Sequence, residues 1–295
     1  MLSHPTILVA TDFSEASNLA LASAEVLRKK TQGHIHVIHV TQYPEQWDWL
    51  TNDVVVSYYP PNFKQDLMNS LQERIHQQIT RLGVEGSGEV LIGPPAKVIL
   101  EYASTSESDL IILGHRGKGN FFHLGDVAAK VVAGADRPVL VINRDFEIER
   151  VAGLVDPMSP GNEIFNMTEE LGYLSAGDVE FISLWPDQSV YVEESFPEAG
   201  FSVVKLTEEK KKEIEERMER HLRNHIDPHS GARVRAEVSP ERKIRDGLVR
   251  VLEEEAIDLA VMSKHHKGKL EKILLGSVTR GILDHWHGNL MILPS

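Results

Sequence analysis

Two loops in the sequence combine glycine with hydroxyl or basic residues in a pattern that suits phosphate binding. One spans 263–278 and ends in Gly276, Ser277 and Val278, and the other spans 114–127 and contains Gly125. Each loop follows a short apolar run and leads into a segment of helical period. The start of a helix offers N–H groups without partners, and glycine lets a phosphate approach the backbone. The two loops therefore predict anion binding, with tight packing as the alternative role of their glycines.

An acidic residue follows the first apolar run of each half of the chain, at Asp12 and at Asp156. Asp12 is followed by Glu15 at the spacing of a capping box, so a helix-capping role is the alternative to a ligand contact. In the second half, Ser159 and Pro160 have the pattern of an N-cap followed by a first-turn proline. Asp156 is then not needed as a cap, which favours a ligand role.

The elements that must position these residues occur twice. Asp12 and Asp156 are about 144 positions apart, and the run 109–114 matches 258–263 at an offset of about 149. β-branched runs alternate with segments of helical period, which predicts parallel sheets built from βαβ units. In such sheets ligands bind beyond the carboxyl ends of the strands. We predict two domains, 1–146 and 147–295.

Composition narrows the functional classes. The chain has 295 residues, no cysteine and a net charge of −13. Thiolate chemistry is excluded, and a nucleic-acid partner is disfavoured because such binding depends on basic residues. The apolar run near the N-terminus is too short for a signal peptide or a membrane span, so we expect a cytoplasmic protein without a membrane partner. Histidine pairs without a third ligand predict no metal site.

The whole chain resembles a tandem universal stress protein, and the segments Ile-Leu-Val-Ala-Thr-Asp-Phe-Ser (7–14) and Ile-Leu-Leu-Gly-Ser-Val-Thr (273–279) carry the resemblance. The resemblance implies an α/β fold with two Rossmann-like (adenine nucleotide alpha hydrolase-like) domains. Each would be an open five-stranded parallel sheet flanked by helices. The implied ligand is ATP, ADP or AMP, with Mg²⁺ as a companion ion. The implied nucleotide-binding residues are Asp12, Val40, Gly114, Gly117, Gly125 and Val127 in the first copy, and Asp156, Leu184, Met262, Ser263, His266, Gly276, Ser277 and Val278 in the second.

Each copy departs from the family motif G-x2-G-x9-G-[ST]. The first has a spacer of seven residues and Asp126 in place of the hydroxyl residue, whereas the second has Ser263 and His266 in place of the leading glycines. A carboxylate at Asp126 repels a triphosphate unless a divalent metal lies between them. Lys264 and Lys267 suit phosphate in the second copy. We therefore expect the second site to be the better nucleotide site.

The favoured function is a nucleotide-binding regulator that signals to a protein partner the sequence does not identify. A scaffold with decayed sites is the alternative, because neither motif is intact. An enzyme with a metal at Asp126 or Asp156 is a third interpretation, although no catalytic residues stand out and the resemblance implies at most slow ATP hydrolysis. The resemblance also implies that the last strands of the two copies pair in an intrachain pseudo-dimer, and that two chains form a homodimer. Trp47 and Trp49 are expected to pack in the core, with a role in a lid as the alternative.

Overall fold

A computed structural model of the chain divides into two compact units. The first contains the described residues up to 146 and those from 287 to 294, and the second contains 148 to 264 and 276 to 286. The residues that the structure describes are 3–42, 62–115, 124–146, 148–187, 190–193, 201–204, 206–241, 243–264 and 276–294. Trp47 and Trp49 lie outside them. Among the residues that the structure describes, no helix is both long and apolar enough to cross a membrane.

The first unit alternates strands and helices, as predicted. Its elements are β1 (Thr6–Ala10), α1 (Glu15–Thr31), β2 (His34–Thr41), α2 (Phe63–Leu82), β3 (Gly86–Ile92), α3 (Pro95–Thr105), β4 (Leu110–Gly114), α4 (Asp126–Gly134) and β5 (Val139–Ile142). These five strands are parallel in the order β5-β4-β1-β2-β3. Strand β1 lies between β2 and β4, so the strand order reverses at β1. The apolar residues of the central strands, such as Leu8 and Ile111, are fully buried.

The second unit repeats this plan. Its elements are β6 (Arg150–Leu154), α5 (Asn162–Ser175), β7 (Asp178–Pro186), β8 (Val190–Glu193), β9 (Phe201–Val204), α6 (Glu208–Arg223), β10 (Arg233–Ser239), α7 (Ile244–Glu254), β11 (Leu259–Ser263) and α8 (Ser277–His285). Its parallel strands have the order β10-β7-β6-β11, and β8 and β9 form a separate antiparallel pair. Strand β6 is the reversal point, in the place that β1 takes in the first unit.

The repeat extends to single side chains. The Asp109 carboxylate accepts a hydrogen bond of 2.8 Å from the N–H of Thr6, the first residue of β1. The Asp258 carboxylate accepts one of 3.0 Å from the N–H of Arg150, the first residue of β6. The same aspartate thus fixes the start of the central strand in each unit, which confirms the predicted pairing of these two segments.

The last strand of the chain, β12 (Asn289–Leu293), belongs to the first unit. It runs antiparallel to β5, with Met291 opposite Leu140. The side-chain oxygen of the fully buried Asn289 accepts hydrogen bonds from the N–H groups of Asn143 (3.0 Å) and Arg144 (3.2 Å). The predicted pairing of the two last strands is confirmed. The strand pairing and these side-chain hydrogen bonds attach β12 to the first unit. The domain division at 146 and 147 stays a prediction.

Candidate functional site

A cavity of about 410 Å³ lies in the first unit at the carboxyl ends of β1, β2 and β4. This is the reversal point of the sheet, where ligands of open α/β folds bind. The strands and the turn directly after β1 supply Ala10, Thr11, Asp12, Val40, Leu113 and Gly114. The first turns of the helices and their caps supply Ser14, Ser17, Pro95, Ile99, Gly125, Asp126, Val127 and Ala128.

Most of the predicted first-copy residues meet in this cavity. Asp12, Val40, Gly114, Gly125 and Val127 all line it, although they come from four separate places in the sequence. The remaining predicted residue, Gly117, lies outside the described residues. The structure brings these five residues to one cavity, and their role as nucleotide contacts stays a prediction.

Asp12 forms the turn between β1 and α1. Its Oδ1 accepts hydrogen bonds from the backbone N–H of Ser14 (3.0 Å) and from the Ser14 hydroxyl (2.5 Å). The N-cap of α1 is Ser14, whose Oγ accepts from the N–H of Ser17 at 3.2 Å. The alternative that Asp12 caps α1 is therefore wrong, because a turn of two residues separates Asp12 from the helix. This turn fixes the Asp12 carboxylate at the wall of the cavity.

A buried hydrogen-bond network supports this turn from below. The hydroxyl oxygen of Thr11 lies 3.0 Å from Ser17 Oγ, 3.0 Å from Gln78 Oε1 and 3.0 Å from the N–H of Phe13. The Gln78 amide also donates to Asn18 Oδ1 at 2.7 Å. Thr11, Ser17 and Gln78 are all buried. This network was not predicted from the sequence, although Gln78 stands directly before the buried Ile79 of α2 and could have indicated it.

Phe13, next to Asp12, is held in an unusual conformation. Its φ of 64° lies in the left-handed region, which a bulky residue rarely adopts. The Arg74 guanidinium lies 4.3 Å from the centre of its ring, and the His39 ring centre is 4.4 Å away. The His39 Nδ1 atom is in turn 2.7 Å from the carbonyl oxygen of Thr11. Such strain persists only where surrounding contacts enforce it, and these contacts fix the turn that carries Asp12.

The glycines of the first loop differ in their roles. A Cβ atom on Gly114 would lie 2.6 Å from the backbone carbonyl of Ala16, so this position is glycine because α1 packs directly on the end of β4. Gly125 is the N-cap of α4, with φ −56° and ψ 141°, a conformation open to any residue. Its N–H donates to the carbonyl of His115 at 3.0 Å, which ties the end of the loop to the end of β4.

Asp126, the first residue of α4, adds a second carboxylate to the cavity. It is exposed, and its Oδ2 lies 2.6 Å from the ammonium nitrogen of Lys130 one turn later. Among the described residues that line the cavity, Asp12 and Asp126 are the charged ones. The described part of the wall therefore contributes two negative charges and no positive charge.

In the second unit, Asp156 follows β6 as Asp12 follows β1. Its Oδ1 accepts a hydrogen bond from the N–H of Met158 at 2.9 Å, and its carbonyl accepts from the N–H of Ser159 at 3.1 Å. The N-cap of α5 is Gly161, without a side-chain hydrogen bond. The prediction of Ser159 as the N-cap is wrong, because its N–H closes the turn at Asp156 and the helix begins later, at Asn162.

The other second-copy residues occupy corresponding places. Leu184 lies near the end of β7, Met262 and Ser263 end β11, and both Leu184 and Met262 are buried. Gly276 is the N-cap of α8 with φ −57° and ψ 148°, nearly the backbone of Gly125, and Ser277 and Val278 begin the helix. His266 lies outside the described residues.

Comparison with known proteins identifies the family. The model of the Universal stress protein family matches residues 4–143 and 177–294. The chain is 26% identical over 155 residues to universal stress protein MJ0577 of Methanocaldococcus jannaschii, covering 48% of this chain and 96% of that protein. It is 32% identical over 143 residues to a universal stress protein of Thermus aquaticus, covering 46% of this chain and 97% of that protein.

Among solved structures, a universal stress protein from Archaeoglobus fulgidus matches 98% of this chain and 98% of its own, with a TM-score of 0.64 and 17% identity. A universal stress protein from Pseudomonas aeruginosa matches 99% of this chain and 94% of its own, with a TM-score of 0.64 and 15% identity. These likenesses show the fold over the whole length. Together with the double family match, they show that the chain belongs to the universal stress protein family and contains two of its domains.

Proposed function

We propose that this chain is a stress-response regulator that binds an adenine nucleotide in its first copy. The observation that carries the proposal is the convergence of Asp12, Val40, Gly114, Gly125 and Val127 on one cavity of about 410 Å³. That volume lies within the range of small-molecule sites, which is roughly 300–1,000 Å³. The family resemblance supplies the adenine nucleotide as the ligand class.

The walls of the cavity suit a nucleoside. Val40, Ile99 and Leu113 provide an apolar surface for a flat base, as ligand sites commonly do. The Asp12 carboxylate accepts hydrogen bonds from an amino group or from sugar hydroxyls. The network beneath Asp12 holds that carboxylate in place before the ligand arrives, which lowers the entropic cost of binding.

The first copy is the better-supported site, in contrast to the ranking from sequence. Counted along the repeat, the second copy has Leu184 where the first has Val40, and Leu248 where the first has Ile99. It also has Ser263 in place of Gly114. Leu184 and Leu248 are buried. A Val-to-Leu change and a Gly-to-Ser change each add volume to the cleft wall, which favours ligand binding in the first copy.

Regulation, rather than catalysis, fits the groups present. The described lining residues include no histidine, lysine or arginine that would act as a general acid or stabilise a developing charge. Among described residues, no group of three potential metal ligands occurs. We propose that nucleotide binding in the cytoplasm alters how the chain contacts a protein partner. ATP, ADP and AMP, with or without Mg²⁺, belong to the proposed ligand class, and a homodimer is part of the proposal.

The test is to denature freshly purified protein and identify any released nucleotide by mass spectrometry. Gly125→Val and Gly276→Val change matching N-caps with the same backbone conformation, so their folding costs should be similar. We expect an adenine nucleotide from the wild type and from Gly276→Val, and none from Gly125→Val. Loss in Gly276→Val alone would move the site to the second copy. An empty protein with no thermal shift in millimolar adenine nucleotides would contradict nucleotide binding and favour a scaffold.

A further inference from the structure

The described wall of the first-copy cavity carries negative charge beside a helix N-terminus, the kind of place where phosphates bind. Gly125, Asp126, Val127 and Ala128 form one wall of the cavity and are also the start of α4. The first backbone hydrogen bond of this helix runs from the N–H of Ala129 to the carbonyl of Gly125 at 2.9 Å. The N–H groups of the preceding three residues therefore have no acceptor within the helix, and such an end attracts anions.

In this protein the anion at the helix end is a side chain. Asp126 is the first residue of α4, and a carboxylate in the first turn satisfies the positive end of the helix dipole. Its own counter-charge is Lys130, 2.6 Å away on the same helix. A phosphate at this helix end would have to lie beside the Asp126 carboxylate, and the other charged residue of the described wall, Asp12, is also negative.

The second copy shows the arrangement without this charge. Helix α8 begins at Ser277 and has no acidic residue in its first turn, although its N-cap Gly276 has nearly the same backbone angles as Gly125. The two helix starts thus differ chiefly in whether a carboxylate or a hydroxyl follows the N-cap glycine. This difference provides a comparison within one chain.

We infer that the first copy selects an adenine nucleoside or nucleoside monophosphate over a triphosphate, and that Asp126 determines this selectivity. The inference rests on the proposed function. The apolar wall and Asp12 bind the nucleoside, and each further phosphate charge adds repulsion from Asp126. Because Asp126 is 77% exposed, the repulsion is moderated by solvent, and a preference of about tenfold for adenosine over ATP is expected, equal to about 1.4 kcal/mol.

The experiment measures dissociation constants of adenosine, AMP and ATP by titration calorimetry, with EDTA present so that no metal shields the phosphates. The wild type, Asp126→Asn and Asp126→Ser are compared, the last carrying the residue of the second copy. Asp136→Asn is the matched control, because Asp136 is an exposed acid of the same unit that is ion-paired at 2.8 Å and does not line the cavity. Thermal melts establish that all variants are folded.

We expect wild type and Asp136→Asn to bind adenosine and AMP at least about tenfold more tightly than ATP. In Asp126→Asn and Asp126→Ser, ATP binding should improve until the difference is about threefold or less, while the affinity for adenosine stays the same. ATP binding equal to or tighter than adenosine binding in the wild type would overturn the inference, as would an unchanged ratio in both Asp126 variants. These outcomes leave nucleoside binding intact, whereas failure of all three ligands to bind would refute the proposed function itself.

Discussion

Thr11→Val tests the buried network that supports the Asp12 turn. Valine has nearly the shape of threonine, and the second copy has Val155 at the corresponding position. The change removes the hydroxyl that lies 3.0 Å from both Gln78 Oε1 and the N–H of Phe13. The hydroxyl has one hydrogen, so it donates to Gln78 or to Ser17, also 3.0 Å away, while it accepts from Phe13. Two hydrogen bonds are therefore lost in a buried or partly buried setting, at about 1 kcal/mol each. We therefore expect the free energy of unfolding to fall by about 2 kcal/mol.

The assay is urea denaturation followed by circular dichroism, together with a double-mutant cycle. Gln78→Leu alone should also destabilise the protein, because it leaves the Thr11 hydroxyl with one partner fewer. In the double variant both partners are apolar, so the second substitution leaves no additional polar group without a partner. The double variant should therefore lose at least about 1 kcal/mol less stability than the sum of the two single variants. A loss below about 0.5 kcal/mol in Thr11→Val, or additive effects in the cycle, would show that the network contributes little stability.

Two further changes test packing and burial. Gly114→Ala places a methyl group 2.6 Å from the Ala16 carbonyl and should lower the free energy of unfolding, measured by urea denaturation, by about 1–3 kcal/mol. Gly134→Ala is the control, because a methyl group there would meet only a leucine side chain. An equal loss of stability at the two sites would contradict the packing role of Gly114. Burial raises the pKa of Glu180 despite its ion pair with Arg233 at 3.3 Å. As the pH rises above the ordinary pKa of glutamate, the unfolded chain loses this proton more readily than the folded chain, so the folded state loses stability. Glu180→Gln should thus raise the melting temperature relative to wild type more at pH 7 than at pH 4, and the opposite trend would refute this interpretation.

The fold was predictable from the sequence because its signals are local and occur twice. The apolar runs before Asp12 and Asp156 are short, β-branched and followed by helical periodicity, and this pattern predicts a central strand in each copy. The rule that ligands bind at the carboxyl ends of parallel strands indicated Asp12 and the loop that contains Gly114 and Gly125. Val40 and Val127 were implied by the resemblance to the family.

Other features depend on contacts that no local pattern encodes. Thr11 and Gln78 are 67 positions apart, so their hydrogen bond becomes visible only when α2 is packed beside α1. The true N-cap, Ser14, and Asp12, for which capping was the alternative role, are both good capping residues, and only the geometry of the turn distinguishes them. The inclusion of β12 in the first unit likewise depends on its pairing with β5, which leaves no mark in the spacing of residues.

Methyl-resolved NMR of the full chain during titration with AMP tests most directly the claim that the first copy binds an adenine nucleotide. The cavity carries methyl reporters from three strands or helices, namely Val40, Ile99 and Leu113, and the second copy has matching reporters at Leu184 and Leu248. We predict saturable shifts of the first-copy methyl groups and little change at the second-copy ones. Saturable shifts confined to Leu184 and Leu248, or no shifts at millimolar AMP, would contradict that claim.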